Sequence, residues 1–173
     1  ITIIDYDVPF DDFDRYDLIV LSRYAFDDVT HYRKGAPRGA GLNRPRWLTA
    51  AQEEKFEDYV TAGGRLVLHH DGIGYYPKDG AISRLAKAFF IKHPPIVSVE
   101  MKATGKMPEL TEGVTPFTVV EEEFQVEMDE AQTSVYLESH SPENGRAPQG
   151  WAHPYGEGKV AVLVPGHSRE VLE

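Results

Sequence analysis

Cysteine is absent from the 173 residues. That excludes disulfides, a thiolate nucleophile and cysteine-held zinc within this chain. No apolar run reaches membrane-spanning length, and no leader-peptide pattern is visible. Positive charge is in deficit: 18 Lys and Arg stand against 28 Asp and Glu, for a net charge of -10. The basic residues are scattered rather than striped, so a nucleic-acid surface, which needs clustered Lys and Arg against phosphates, is not expected. A membrane partner is not expected either. HExxH, GxSxG, the P-loop and GxGxxG are all missing, so no motif names a chemistry by itself. The chain reads as soluble, with its compartment left open and the cytoplasm favoured over the periplasm, and its acidic surface suits neutral or cationic partners.

Hydrophobic residues make up 41% and charged residues 27% of the chain. This is ordinary for a globular protein, and the length suits one domain over residues 1–173. A chain that opens on Ile1-Thr2-Ile3-Ile4 and stops at Val171-Leu172-Glu173 reads as trimmed. Homo-oligomerisation is left open.

The central stretch is Gly63-Gly64-Arg65-Leu66-Val67-Leu68-His69-His70-Asp71-Gly72. It reads as a helix stop, a short apolar strand and polar residues at the strand's end. Before it, Thr49-Ala50-Ala51-Gln52 has the spacing of a capping box, and Phe56, Tyr59 and Val60 share one helical face. Asp17–Leu21 is continuously apolar after its first residue, as expected of a strand buried on both faces of a parallel sheet. Strand, helix and strand in that order give a βαβ crossover. Ile1–Tyr6 reads as a further strand. Ala25–Arg46, with His31, Arg33 and Lys34, reads as a long loop able to cover the site as a lid. A second helix is expected from Ile82 to Phe89. Further strands are expected at Ile96–Met101 (antiparallel or peripheral), Phe117–Val120, Ser134–Leu137, Gly150–His153 and Lys159–Val164. Pro142–Gly150 reads as a turn region, and Gly156-Glu157-Gly158 as the turn between the last two strands.

Four apolar runs end in polar groups: Ser22-Arg23-Tyr24, His69-His70-Asp71, Glu121-Glu122-Glu123 and Gly166-His167. Parallel strands would gather these on one rim, where open α/β sheets bind ligands. A carboxylate facing imidazoles can transfer protons, and the same groups can hold a divalent metal. His69 and His70 alternate in direction, so at most one faces a shared cleft. Taken alone, Glu121–Glu123 reads first as a solvated acidic patch. Trp151 reads first as core or edge packing, with a sugar-stacking platform as the alternative. His31 and His153 read as loop or edge residues.

The residues also resemble a known family. Tyr16-Asp17-Leu18-Ile19-Val20-Leu21 matches the YDxxVL-type strand of the ThuA-like (trehalose utilisation) family. Gly63–His70 is similar to that family's GGGLVGLH segment, in a register that puts His70 on the motif histidine. Phe90-Ile91-Lys92-His93-Pro94 is similar to its FxxHP. Phe117–Phe124 resembles its FTVxDExY, with Glu121 for the Asp, Phe124 for the Tyr, and Glu122 on the Glu unless the register slips to Glu123. Trp151–Val160, followed by Gly166-His167, resembles its WxxxYGxGRV…GH ending.

The family is related to class I glutamine amidotransferases. The resemblance implies an α/β, three-layer flavodoxin-like fold with a mainly parallel sheet flanked by helices, here without the family's first strand and last helix. It implies a role in the metabolism of trehalose or a related glycoside, with a small-molecule sugar as partner. Glutaminase chemistry is not implied, because the turn lacks the cysteine it needs. The site implied is His70, Glu122 and His167 as catalytic groups, with His93, Trp151, Tyr24, Arg23 and Asp71 toward the substrate. A divalent metal ion is the candidate cofactor. The competing expectation is a non-catalytic sugar-binding or interaction domain.

Overall fold

The structure is a computed structural model that describes residues 7–27 and 45–172. The strand expected at Ile1–Tyr6 and the body of the expected lid, His31 included, lie outside the described residues. The two ends of that loop are tied together, since Asp27 N–H donates to the Pro45 carbonyl at 2.8 Å.

β1 (Ile19–Leu21) follows a short 3-10 turn over Phe10–Arg15. α1 (Ala50–Thr61) begins at the expected capping box, with Thr49 Oγ1 accepting from Gln52 N–H at 3.3 Å and Gln52 Oε1 accepting from Thr49 N–H at 2.9 Å. Gly63, at φ +113°, turns the chain after α1 in a conformation other residues avoid. β2 (Arg65–His69) pairs parallel to β1, with Leu66 opposite Ile19, and completes the crossover. The remaining elements are α2 (Ala81–Ala86), β3 (Ala88–Lys92), β4 (Val97–Ala103), α3 (Pro108–Thr111), β5 (Phe117–Glu121), β6 (Gln125–Met128), β7 (Ser134–Ser141), β8 (Gly145–Tyr155), β9 (Gly158–Leu163) and α4 (Arg169–Leu172).

The main sheet runs β1-β2-β9-β8-β7-β4-β5, and β3 and β6 form a separate antiparallel pair. β1/β2 and β2/β9 are parallel, while the other four pairings are antiparallel. The fold is therefore mixed α/β, and the expectation of a mainly parallel sheet fails for the described residues. Apolar runs mark strands but carry no direction. Three parallel strands still present their carboxyl ends to one rim. Four antiparallel steps separate β9 from β5 and restore the same direction, so β5 ends on that rim too.

A flat sheet would hold β5 about 19 Å from β9, four spacings of about 4.8 Å. Glu121, the last residue of β5, nevertheless bonds directly to Gly166 just beyond β9, at 3.0 Å. The sheet must curl, and the pairing of β7 with β8 is irregular around Val135–Glu138, where a bulge adds bend and twist.

Alternation along β9 divides the core. Val160 and Val162 join Leu66, Leu68, Phe56, Val60, Ile82 and Leu85 on the face that α1 and α2 cover. Ala161 and Leu163 pack against Val99, Met101, Tyr136 and Leu137 on the other.

Other expectations change for physical reasons. α2 stops at Ala86 because Lys87 enters a left-handed conformation at φ +50°. Phe89 and Phe90 then belong to β3, whose strand partner is β6. Val20 is 57% exposed, so β1 is not buried on both faces by the described residues. The expected turn region Pro142–Gly150 is mostly strand, with Gly145 already paired to Ser141. The strand expected at Ile96–Met101 is antiparallel but internal, between β7 and β5. Among the described residues no helix is long and apolar enough to cross a membrane.

Candidate functional site

β2 drives Leu68 fully into the core and ends at His69. The next residue, His70, sits at φ +46°, a backbone region few residues with a side chain enter, and its ring is turned inward. His70 Nδ1 lies 2.7 Å from the Val164 carbonyl oxygen. A carbonyl only accepts, so Nδ1 carries the hydrogen and Nε2 is left facing Glu122 Oε2 at 3.6 Å.

His69 points the other way, as strand alternation requires. Its Nε2–H donates to the Pro165 carbonyl at 3.1 Å, which leaves Nδ1 to accept from Ser22 Oγ at 3.1 Å. The segment after β9 lies so close over this ring that a Cβ on Gly166 would overlap it. Glycine is needed there for the chain to pass and deliver His167.

The acidic run is not a solvated patch. Glu121, Glu122 and Glu123 are all buried, and for Glu121 and Glu123 burial is tolerated because close hydrogen-bond donors meet the carboxylate. Glu121 Oε1 accepts from Glu122 N–H at 2.7 Å, and its Oε2 accepts from Gly166 N–H at 3.0 Å and His167 N–H at 3.2 Å. Glu123 accepts from Ser139 Oγ at 2.8 Å, and from Ser141 Oγ and Asn144 Nδ2 at 2.7 Å each. Replacing Glu121 by Ala would leave three N–H groups without this acceptor, one of them buried and two partly buried. We expect a loss of about 3 kcal/mol in urea denaturation, with a smaller loss for Glu121→Gln, which keeps one accepting oxygen.

Glu122 stands between these two and faces imidazoles. His167 Nδ1 lies 3.3 Å and His93 Nδ1 3.4 Å from its Oε1, on the opposite oxygen from His70. His70, Glu122 and His167 each offer a ligand atom, all within 4.8 Å of one another. The Phe124 ring walls the cluster, with its centroid 5.0 Å from that of His70 and 4.8 Å from that of Phe90. Burial raises the Asp71 carboxyl above its ordinary pKa. The nearby His70 charge opposes this, and the Glu122 charge adds to it.

The site residues expected from sequence thus separate. His70, Glu122, His167 and His93 converge, with Asp71 in their field. Trp151 does not join them: it is fully buried, its Nε1–H donates to the Ala86 carbonyl at 2.8 Å, and it offers no face to a sugar. Arg23 pairs with Asp27 at 3.3 Å and lies over the Trp47 ring at 4.7 Å. Tyr24 packs edge-on against Tyr75, 6.3 Å between centroids, and Tyr75 in turn packs against Phe90. Two organising groups were not assigned to the site from sequence, Glu121 and the Val164 carbonyl. The signals for the first were its place at a strand end and on the Asp of the FTVxDExY motif, and a backbone carbonyl leaves none.

His153 is not an edge residue. It is buried, Nε2–H donates to the Leu85 carbonyl at 2.9 Å, and Nδ1 has no partner among the described residues. Burial pushes its pKa from 6.5 down to about 4. Between these values the unfolded chain holds more protons than the native one, so stability is full above about pH 6.5 and falls as pH drops toward 4. The loss is at most about 3 kcal/mol. Urea midpoints measured from pH 7 to 4 should fall less in His153→Gln than in the parent chain.

With this geometry in place, the comparisons are informative. The sequence profile of the family described as ThuA, trehalose utilisation, matches residues 9–173. The comparison with curated sequences finds no match. A ThuA-like protein from Parabacteroides merdae has a similar structure, with TM-score 0.66 and 15% identity over 90% of this chain and 62% of that one. One from Bacteroides uniformis gives 0.63 and 18%, over 94% of this chain and 64% of that one. A β-galactosidase from Bacillus circulans gives 0.58 and 12%, over 87% of this chain but 20% of its own. The chain therefore spans less than two thirds of the ThuA-like structures and about a fifth of the β-galactosidase. At these identities the structures speak for the fold alone. The profile match covers nearly the whole chain, and with it the histidines and acids of the rim: the chain belongs to the ThuA, or trehalose utilisation, family.

Proposed function

We propose that this chain is a carbohydrate-handling enzyme in which Glu122 exchanges a proton with a sugar while His70 and His167 polarise or relay. The observation that carries this reading is one nearly buried carboxylate shared by three imidazoles. Two of them, His93 and His167, are 40% and 43% exposed, so a small polar molecule can reach the cluster from outside. A carboxylate flanked by imidazoles can take a proton from a hydroxyl, or from a carbon beside a carbonyl, and return it elsewhere. Family membership supports trehalose or a related glycoside, in parent or oxidised form, as the substrate class. Its relation to the amidotransferases supports reading β1, α1 and β2 as part of a three-layer, flavodoxin-like arrangement.

The test is turnover of a panel of disaccharides and their keto derivatives by the full chain, followed by product analysis. His70→Ala and Glu122→Gln should both suppress product formation; unchanged turnover in both would sink the mechanism. The other reading, a non-catalytic sugar-binding module, draws on the β-galactosidase, in which this fold makes up about a fifth of the chain. It predicts saturable binding by calorimetry with no product.

A further inference from the structure

We propose that His70, Glu122 and His167 form a binding site for a divalent first-row transition-metal ion of the zinc class. The inference deepens the reading above and rests on its cluster, though not on its substrate. Three observations carry it.

The first is the state of Glu122. Its neighbours Glu121 and Glu123 have their oxygens taken up by hydrogen bonds at 2.7–3.2 Å. Glu122 is also buried, yet its surrounding nitrogens stand back at 3.3–3.6 Å. Among the described residues no hydrogen bond at ordinary length satisfies this carboxylate. A buried anion without close donors is costly unless a cation accompanies it.

The second is spacing. Ligands held tetrahedrally at 2.0–2.1 Å from zinc lie about 3.3 Å from one another. His167 Nδ1 lies 3.3 Å from one Glu122 oxygen and His70 Nε2 3.6 Å from the other, so the carboxylate meets one imidazole on each side at about that spacing. All three ligand atoms fall within 4.8 Å, so small side-chain movements close the set around an ion.

The third is orientation. The Val164 carbonyl fixes the hydrogen on His70 Nδ1 and leaves the Nε2 lone pair aimed at Glu122. Metal-bound histidines are held in this way, with the far nitrogen donating to a carbonyl or carboxylate. Glu121 anchors the other histidine differently, by accepting from the backbone N–H of His167 and so fixing where that residue leaves the chain. Two imidazoles and one carboxylate leave a coordination position open, the pattern of catalytic rather than structural sites. The ligand at that position would be an oxygen of water or of a sugar.

The experiment uses the full chain freed of metal by a chelator and then titrated with Zn2+ by calorimetry, and with Co2+ by visible absorption. We expect one ion per chain, and the absorption band of tetrahedral or five-coordinate Co2+. Losing an outer partner of a ligand typically costs 10- to 100-fold in metal affinity. Losing a ligand itself should therefore cost at least ~100-fold, in His167→Ala and in Glu122→Gln alike. His167 is exposed, so its variant should fold, and circular dichroism checks this. His140→Ala, an exposed histidine on β7, should bind as the parent does. No saturable Zn2+ binding, or equal binding by the parent and both ligand variants, overturns the site. If metal fails to bind but sugar turnover persists in chelator and falls in Glu122→Gln, the metal site is wrong and the proton-transfer reading stands. If metal binds as expected and no sugar is turned over, the site stands and the substrate reading fails.

Discussion

Replacing Glu122 by Gln is expected to slow turnover of any accepted sugar by about 100- to 10,000-fold, the usual worth of a positioned acid–base group. The substitution keeps the side chain's shape but removes its charge and its capacity to accept a proton. Its neighbours would persist, because Glu121 and not Glu122 holds the 166–167 turn. Thermal stability should therefore stay close to that of the parent chain while activity collapses. That separation distinguishes a reacting carboxylate from a structural one. If Glu122 acts only to order the pocket, the variant should lose stability and activity together.

The second large effect is expected at Trp151. Truncation to Ala removes a fully buried indole between its strand neighbours Val135 and Val162. It also orphans the Ala86 carbonyl, which accepts from Nε1 at 2.8 Å. The expected cost is about 3–5 kcal/mol, the range for emptying a large aromatic site in a core that relaxes only in part. Urea denaturation of Trp151→Ala measures it directly. The milder Trp151→Phe, which keeps an aromatic ring and loses the hydrogen bond, should cost less. A stacking platform behaves differently: Trp151→Phe would then raise KM for the sugar with little change in stability. The burial in the structure predicts the reverse, with KM held and stability reduced.

The legible parts of this chain were those set by local chemistry. The capping box at Thr49 and Gln52, the glycine after α1 and the two-residue turn at Gly156-Glu157 each impose a backbone geometry whatever surrounds them. His70 was legible as the inward histidine because alternation allows at most one of His69 and His70 into the cleft and the family register puts His70 on the motif histidine. The less legible parts were set by distant partners. Whether Glu121 and Glu123 are solvated or buried depends on the backbone at residues 166–167 and on Ser139, Ser141 and Asn144, none of which their own spacing reveals. Strand direction is equally silent, since β4, β7 and β8 carry the same kind of apolar pattern as β2 and β9. The helical reading of Phe89 failed because one left-handed residue, Lys87, ends α2, and β6 then supplies a strand partner.

These lessons bear on the rim. Its ingredients lie at four places far apart in the sequence: the shared direction of β2, β5 and β9 joins His70, Glu122 and His167, and His93 arrives from the end of β3. The curl of the sheet then closes the remaining gap, so that Glu121 can tie the end of β5 to the turn after β9. Glu122 comes to lie between three imidazoles as a consequence.

The most direct test of that arrangement follows keto- and parent disaccharides by proton NMR with the full chain and with Glu122→Gln, at equal concentration and with added Zn2+. The account predicts product from at least one sugar with the parent chain, formed at least ~100-fold more slowly by the variant. Equal rates for the two proteins would contradict it, as would saturable sugar binding with no product from either.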